Sequence, residues 1–132
     1  MNTLEKLHLL KTGKISAEQN VKQFLAAIEK DDQHGKKINA FIVLNPGIIG
    51  DARRVDEKIK KGKAGRLAGL VIAVKSNINV LSLKTSCSSK VLEDYYGTYD
   101  ASVIQKIKNE DGIIIGMTNM DEFACGSSGE TS

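Results

Sequence analysis

A lysine ends one of the apolar runs of the sequence. Lys75 directly follows residues 70–74 (LVIAV), and continuous rather than alternating apolarity predicts a strand that is covered on both faces. In open α/β sheets, ligands bind at the carboxyl ends of such strands. Desolvation favours the neutral amine, so a lysine held there can act as a base. The alternative is that Lys75 simply turns outward into solvent.

A second polar loop follows another apolar run. Residues 113–117 (IIIGM) predict a buried strand, and residues 118–129 (TNMDEFACGSSG) come directly after it. Because the carboxyl ends of neighbouring parallel strands meet at one edge of a sheet, this loop and Lys75 can line one pocket. A Ser/Gly-rich tail is also typical of a flexible terminus.

Other chemistries receive less support from the sequence. The segment 126–129 (GSSG) lacks the register of a G-x-S-x-G nucleophile elbow, and no Gly-Lys-Ser/Thr follows it as in a phosphate-binding loop. Cys87 and Cys125 form no Cys-x-x-Cys pair and have no evident base, so we interpret them as buried or structural thiols. Asp121 and Glu122 are neighbours, which favours a place in the first turn of a helix over joint acid–base work.

The composition favours a folded, soluble chain. Apolar residues make up 41% of the 132 residues and charged residues 27%, which suits one compact domain or part of a larger one. A net charge of +3 is too small to indicate nucleic-acid binding. No apolar run is long enough to span a bilayer, and residues 1–15 lack a signal-peptide core. We expect a protein of a reducing compartment, the cytoplasm.

The hydrophobic pattern predicts helices that alternate with strands. The predicted helices are 3–11, a segment from 17 to about 31–35, 48–61 and 101–109; the predicted strands are 40–44, 70–74 and 113–117. Residues 76–90 are polar and are predicted as loop, and a short helical turn is predicted at 121–124. This order predicts an α/β domain with helices packed on a mixed, mostly parallel sheet.

Some side chains receive specific structural predictions. Ser16 and Gln19 have the spacing of a capping box, and Asp100 is predicted to cap the helix 101–109. The apolar face of the second helix is predicted to contain Val21, Phe24, Leu25 and Ile28. The helix 101–109 is predicted to turn Val103, Ile104 and Ile107 inward.

Three blocks, taken together, resemble the amidase-signature family. They are residues 65–75 (GRLAGLVIAVK), 99–103 (YDASV) and 116–128 (GMTNMDEFACGSS), in the order and spacing of that family. The Asn-Met-Asp-Glu-Phe-Ala core is similar to the form found in the glutamine-hydrolysing subunits of tRNA-dependent amidotransferases. The resemblance extends over residues 15–132 and implies that the chain adopts the amino-terminal portion of the amidase-signature fold.

The resemblance also implies roles for individual residues. The family hydrolyses amides with a lysine that acts through a bridging serine, held in a cis peptide, on a nucleophilic serine. Lys75 would be the general base, with Ser76 and Asn77 beside it, although many members carry Asp where this chain has Ser76. Glu122 would lie near the exit of ammonia. Cys125, Gly126 and Ser127 would border the glutamine pocket.

On the same resemblance, neither triad serine is expected in this chain. The bridging serine of the family lies in a Gly-Gly-Ser-Ser-Gly-Gly-Ser-like stretch, whereas segment 126–129 follows Asp-Glu-Phe-Ala directly and belongs to an earlier block. Residues 1–132 would form the amino-terminal portion of one domain, with 1–62 as its mainly helical start and 63–132 as the start of the catalytic core. The chain alone is then expected to be inactive towards glutamine.

The resemblance further implies partners, the B and C subunits of such an amidotransferase. Ammonia released from glutamine would pass to the B subunit, which uses ATP and Mg²⁺ to amidate Glu-tRNA(Gln), or Asp-tRNA(Asn), and holds most of the tRNA. The C subunit would clamp the complex together. No cofactor, metal or membrane contact is expected in this chain. Two alternatives remain: a stand-alone amidase that acts on small amides, and a non-catalytic piece that binds a partner.

Overall fold

The fold is a small mixed sheet with helices packed against it. The computed structural model describes residues 2–132, except for the side chain of Gln33. The elements are α1 (Thr3–Lys11), α2 (Ala17–Ala27), β1 (Phe41–Leu44), α3 (Ile48–Lys60), β2 (Val71–Lys75), α4 (Ser102–Asn109) and β3 (Ile113–Thr118). A π-helical segment, Ile28–His34, extends α2, and single 3-10 turns occur at Lys90–Leu92 and Glu122–Ala124. The predicted order of elements is therefore confirmed. Within residues 2–132, no helix is long and apolar enough to cross a membrane.

The strand order of the sheet is β1-β3-β2. β2 runs parallel to β3, and β1 runs antiparallel to it, so the sheet is mixed as predicted. Lys75 of β2 and Phe41 of β1 both pair with Thr118 at the end of β3. The loops that follow β2 and β3 therefore leave the sheet at the same edge.

The central strand separates two apolar clusters. Ile113 and Ile115 face a cluster with α2 and α3, whereas Ile114 and Met117 face one that includes Val74. A register shift between β2 and β3 makes Ile115 the extra residue of a bulge, which puts Met117 on the same face as Ile114. Residues 113–117 are buried throughout, as predicted.

The edge strand β2 departs from prediction. Continuous apolarity predicts cover on both faces, but Ala73 is exposed and only Val74 is fully buried within this strand. The prediction of two-sided cover is therefore right for β3 and wrong for β2. The physical reason is position, because a central strand is shielded by both neighbours and an edge strand is not.

Polar contacts join α2 to α3. The predicted capping box is confirmed: Gln19 N–H donates to Ser16 Oγ at 3.0 Å, and Ser16 N–H donates to Gln19 Oε1 at 3.0 Å. The Asp56 carboxylate of α3 accepts the N–H groups of Ala17 and Glu18 at 2.7 and 3.1 Å. The orphan donors of the first turn of α2 are thereby satisfied by α3 as well as by its own cap.

Three side-chain predictions were wrong. Phe24 is 40% exposed and Val103 is 50% exposed, because the apolar stripe of each helix is narrower than predicted. Ala101, not Asp100, occupies the N-cap of α4. Asp100 instead accepts the Leu81 N–H at 2.8 Å and pairs with Lys108, which fastens the loop after β2 to α4.

Candidate active site

Lys75 is the last residue of β2, where the strand enters the first polar loop. Its partner in the parallel ladder is Thr118, the last residue of β3. The residue is exposed. Of the two alternatives for Lys75, the described residues show the exposed one, and its role as a base stays a prediction.

Ser76 holds the main chain directly after this lysine. It is fully buried, its N–H donates to Thr118 O at 3.2 Å, and its carbonyl accepts the Cys87 N–H at 3.1 Å. Its hydroxyl lies 3.5 Å from the Ser88 hydroxyl. The backbone at Lys75 is thus fixed by the neighbouring strand and by the far end of its own loop.

Ser88 and Asn119 join the two loops. Ser88 Oγ donates to Asn119 Oδ1 at 3.0 Å and accepts the Met120 N–H at 3.1 Å. Asn119 Nδ2 also donates to Asn39 O at 3.2 Å, which ties the junction to the segment before β1. Sequence reasoning missed this junction, because a polar residue within a Ser-rich loop carries no periodic signal.

Two more hydrogen bonds join the loop that follows β2 to the loop that follows β3. Phe123 N–H donates to Cys87 O at 3.0 Å, and the buried Ser89 donates its hydroxyl to Glu122 Oε1 at 2.6 Å. The structure thus brings the two polar loops together at one edge of the sheet, as the sequence predicts. Glu122 has a defined partner there, and its predicted place near an ammonia exit stays a prediction.

The carboxylate of Asp121 organises the second loop. It accepts the N–H of Gly129 at 3.1 Å, the N–H of Thr131 at 3.3 Å and the hydroxyl of Thr131 at 3.0 Å. The Gly129 N–H, followed by the Thr131 hydroxyl, lowers the pKa of Asp121 below its usual value, and the nearby charge of Lys75 acts in the same direction. Asp121 occupies the N-cap position and Glu122 the first turn of the 3-10 turn Glu122–Ala124, so the predicted place at a helix start is confirmed, although the Asp121 side chain makes no capping bond.

The three predicted pocket residues lie on this Asp121-centred loop. Cys125, Gly126 and Ser127 are exposed, and the Cys125 thiol has only a long contact of 3.6 Å to Phe123 O. Cys87 is half-buried and Cys125 is exposed, so neither is a fully buried thiol, and a structural role for them stays a prediction. Among residues 2–132, no group of three or more His, Cys, Asp and Glu side chains is arranged to hold a metal ion.

Lys75 does not line either of two cavities that the described residues form beside the sheet. One of about 310 Å³ borders the junction of the loops and is lined by Ser88, Ser89 and Asn119 among others. The larger, of about 400 Å³, lies at the opposite edge, near Asn45 and the start of β3 at Ile113. Charged side chains also line the larger cavity, among them Lys58, Lys108 and Asp111. We place the candidate site at the first edge because Lys75 and the two loops that follow β2 and β3 meet there.

Comparison with known proteins decides the family. The sequence model of the amidase family, described simply as amidase, matches residues 19–132. The chain belongs to the amidase family. The resemblance of the three sequence blocks is thereby confirmed.

The similar proteins include both amidotransferase subunits and amidases. The A subunit of glutamyl-tRNA(Gln) amidotransferase from Methanothermobacter thermautotrophicus is 53% identical over the whole chain, which covers 29% of that relative. The crystal structure of the Thermotoga maritima protein of that name superposes with a TM-score of 0.71 at 30% identity, over 100% of this chain and 25% of that one. Peptide amidase from Stenotrophomonas maltophilia has the same fold, with a TM-score of 0.89 at 24% identity, over 93% and 25% of the two chains.

This amidase-family chain therefore spans less than a third of the length of the relatives it matches. Its mixed α/β architecture is the one seen in the solved amidase-family structures. Within it, the candidate site consists of Lys75, the junction around Ser88 and Asn119, and the loop that Asp121 holds.

Proposed function

We propose that this chain supplies the lysine-bearing part of a glutamine-hydrolysing amidotransferase subunit. The observation that carries the proposal is the position of Lys75 at the end of β2, beside the loop of residues 121–131. The 53% identity to the A subunit of an amidotransferase across that whole region supports it. The complete subunit would release ammonia for the amidation of Glu-tRNA(Gln), with Asp-tRNA(Asn) as a second substrate.

Lys75 acts in this proposal as the general base. Its neutral amine accepts the proton that the nucleophilic serine passes on through a bridging serine, and both serines are contributed from outside residues 1–132. Proton transfer by a positioned side chain of this kind contributes about 10²–10⁴-fold to a rate. Because Lys75 is exposed in this chain, the rest of the subunit must also cover the amine, which favours its neutral form.

The other residues of the site position the substrate. Cys125, Gly126 and Ser127 border the glutamine on a loop that the Asp121 carboxylate holds in shape. The ammonia then passes to the B subunit, which uses ATP and Mg²⁺, with the C subunit clamping the two, in the cytoplasm. This chain is assigned no cofactor of its own.

A chimera tests the proposal with the chain in its working context. Residues 1–132 replace the matching segment of the Methanothermobacter A subunit, and this chimera is assembled with the partner subunits of that organism. We expect ammonia release from glutamine and amidation of Glu-tRNA(Gln), both close to the level of the unaltered complex. Lys75→Ala should reduce ammonia release by at least about 100-fold.

The matched control is Lys106→Ala, which removes an exposed lysine of α4 that is not part of the candidate site. It should leave ammonia release unchanged. Near-normal ammonia release by the Lys75→Ala chimera would rule out the base assignment.

Two further measurements address the alternatives. A stand-alone amidase would hydrolyse small amides without any partner subunit, so the chimera alone is assayed on such amides. A non-catalytic binding piece would give no glutaminase activity when the remaining part of the subunit is added in trans to the 132-residue chain.

A further inference from the structure

The hydroxyl of Ser88 has three neighbouring hydrogen-bonding groups in two other segments of the chain. A serine hydroxyl offers one hydrogen and two lone pairs. The hydrogen is donated to Asn119 Oδ1 at 3.0 Å, and one lone pair accepts the Met120 N–H at 3.1 Å. Ser76 Oγ lies 3.5 Å away, a long contact in which Ser76 is the donor when Ser88 donates to Asn119.

The backbone at Ser88 adopts a conformation that a serine rarely occupies. Cys87 and Ser88 have φ values of 51° and 54°, and two consecutive non-glycine residues in the left-handed region are unusual. Such conformations persist only where the surroundings over-determine them. Here Cys87 is bonded through its N–H to Ser76 and through its carbonyl to Phe123, which turns the Ser88 hydroxyl into the space between the loops.

These contacts place Ser88 between the two halves of the candidate site. Ser76 directly follows Lys75 and is fully buried, so its position determines where the lysine leaves the sheet. Asn119 and Met120 directly precede Asp121, whose carboxylate holds the loop with residues 125–127. No other side chain of the described residues hydrogen-bonds to both Ser76 and the segment 119–120.

We propose that Ser88 is a positioning residue, whose hydroxyl fixes the lysine-bearing strand end relative to the loop of residues 121–131. It touches neither substrate nor reacting atoms and acts through Ser76 and Asn119. The inference rests on the proposed function, because its readout is the glutaminase reaction. It adds a residue that the base and pocket assignments do not contain.

The test uses Ser88→Ala and Ser88→Gly in the assembled chimera. Both remove the hydroxyl, but glycine adopts a positive φ without strain, so the second variant separates the lost hydrogen bonds from backbone effects. Both should lower kcat about 10- to 100-fold, since small misplacements of catalytic groups have effects of this size. The KM for glutamine should change less than kcat.

The pH dependence of kcat provides a readout that a purely structural role would not move. Both variants should displace the rising limb of the profile by at least about half a pH unit, because the lysine then sits in altered surroundings. Ser76→Ala should have a smaller effect than either, since the contact it removes is the longest of the three.

The matched control is Ser82→Ala. Ser82 is an exposed serine of the same loop that also has a positive φ, of 65°, and it lines the cavity at the opposite edge, so loss of its hydroxyl should leave kcat and the pH profile unchanged. The inference is overturned if Ser88→Gly has a normal kcat and a normal pH profile while Lys75→Ala is inactive. The thermal stability of Ser88→Gly does not alter this conclusion. Activity that survives Lys75→Ala refutes the proposed function instead.

Discussion

Gly126 lies directly against the carboxyl group of Asp121. A Cβ built on Gly126 would lie 2.8 Å from Asp121 Cγ and 3.0 Å from Oδ2, closer than non-bonded carbon and oxygen atoms approach. The same carboxyl group accepts hydrogen bonds from Gly129 and Thr131. The predicted pocket residues therefore belong to a loop that surrounds one carboxylate. The shape of this loop depends on glycine, which has no side chain, at position 126.

Gly126→Ala is therefore expected to displace this loop. Either the Asp121 carboxylate or the backbone at 126 must move, and overpacking of this kind costs about 1–3 kcal/mol. In the chimeric complex, we expect the KM for glutamine to rise about tenfold, the equivalent of about 1.4 kcal/mol. Steady-state ammonia release measures it, and an unchanged KM would show that this loop does not border the substrate.

Gly50→Ala is the matched glycine control, and this change is expected to stabilise the chain rather than destabilise it. Gly50 is exposed within α3, and a Cβ there meets only Arg54 Nη1 at 3.9 Å. Alanine inside a helix is favoured over glycine by about 0.5–1 kcal/mol. Urea unfolding of the chain should show this gain in stability, and ammonia release by the chimera should not change.

Asp121→Asn should change the stability of the chain in a pH-dependent way. The folded-state pKa of Asp121 lies below its usual value, because Gly129 and Thr131 donate to the ionised form. The carboxylate thus stabilises the fold at pH values above its unfolded pKa, and this contribution is lost as the pH falls through the lower, folded pKa. Urea unfolding should show a deficit for Asp121→Asn at pH 7 that shrinks below about pH 4. A deficit that is constant with pH would contradict the ionic origin.

Local rules account for the parts of the fold that the sequence predicts. Hydrophobic periodicity locates each helix and strand, because burial of one face is what stabilises these elements. The Ser16–Gln19 box is correct because both partners lie within one turn. The capping prediction for Asp100 was wrong for the opposite reason. Its carboxylate bonds to Leu81 and Lys108, which lie outside the residues that a local capping rule considers.

The same distinction between local and distant contacts separates the parts of the candidate site that the sequence predicts from those that it does not. The place of Lys75 follows from the apolar run before it and from the geometry of parallel strands. The role of Ser88 does not, because it depends on a left-handed backbone at two non-glycine residues and on partners 12 to 32 positions away. The hydrophobic pattern does not predict the exposure of Lys75 either, because an edge strand and a central strand can have the same apolar sequence.

Arg53→Met should weaken the pairing of α2 with α3 in a pH-dependent manner. Arg53 donates to both carboxylate oxygens of Glu18, at 3.0 and 3.2 Å, and this contact, together with Lys22, lowers the pKa of Glu18 to about 2. The ion pair therefore stabilises the fold above about pH 4.5, the ordinary pKa of a glutamate, and this stability is lost as the pH falls from there to about 2.

Urea midpoints between pH 2 and 7 test the Arg53 prediction. The parent chain should lose more stability over the acid range than Arg53→Met does. Arg54→Met is the control, because Arg54 pairs within its own helix with Asp51 and does not reach α2. Parallel pH profiles for the parent and Arg53→Met would show that the pair contributes nothing to the fold.

Ile104→Ala and Val103→Ala test which face of α4 packs on the sheet. Ile104 is 1% exposed and lies in the cluster with Val74 and Met117, so its truncation leaves a cavity and should cost about 2–5 kcal/mol. Val103 is 50% exposed, and alanine is the better helix former, so this change should stay within about 0.5 kcal/mol of neutral. Urea unfolding of the two variants measures the difference. Equal losses would mean that both side chains are buried, as the hydrophobic pattern alone predicts, and that α4 lies on the sheet in a different rotation.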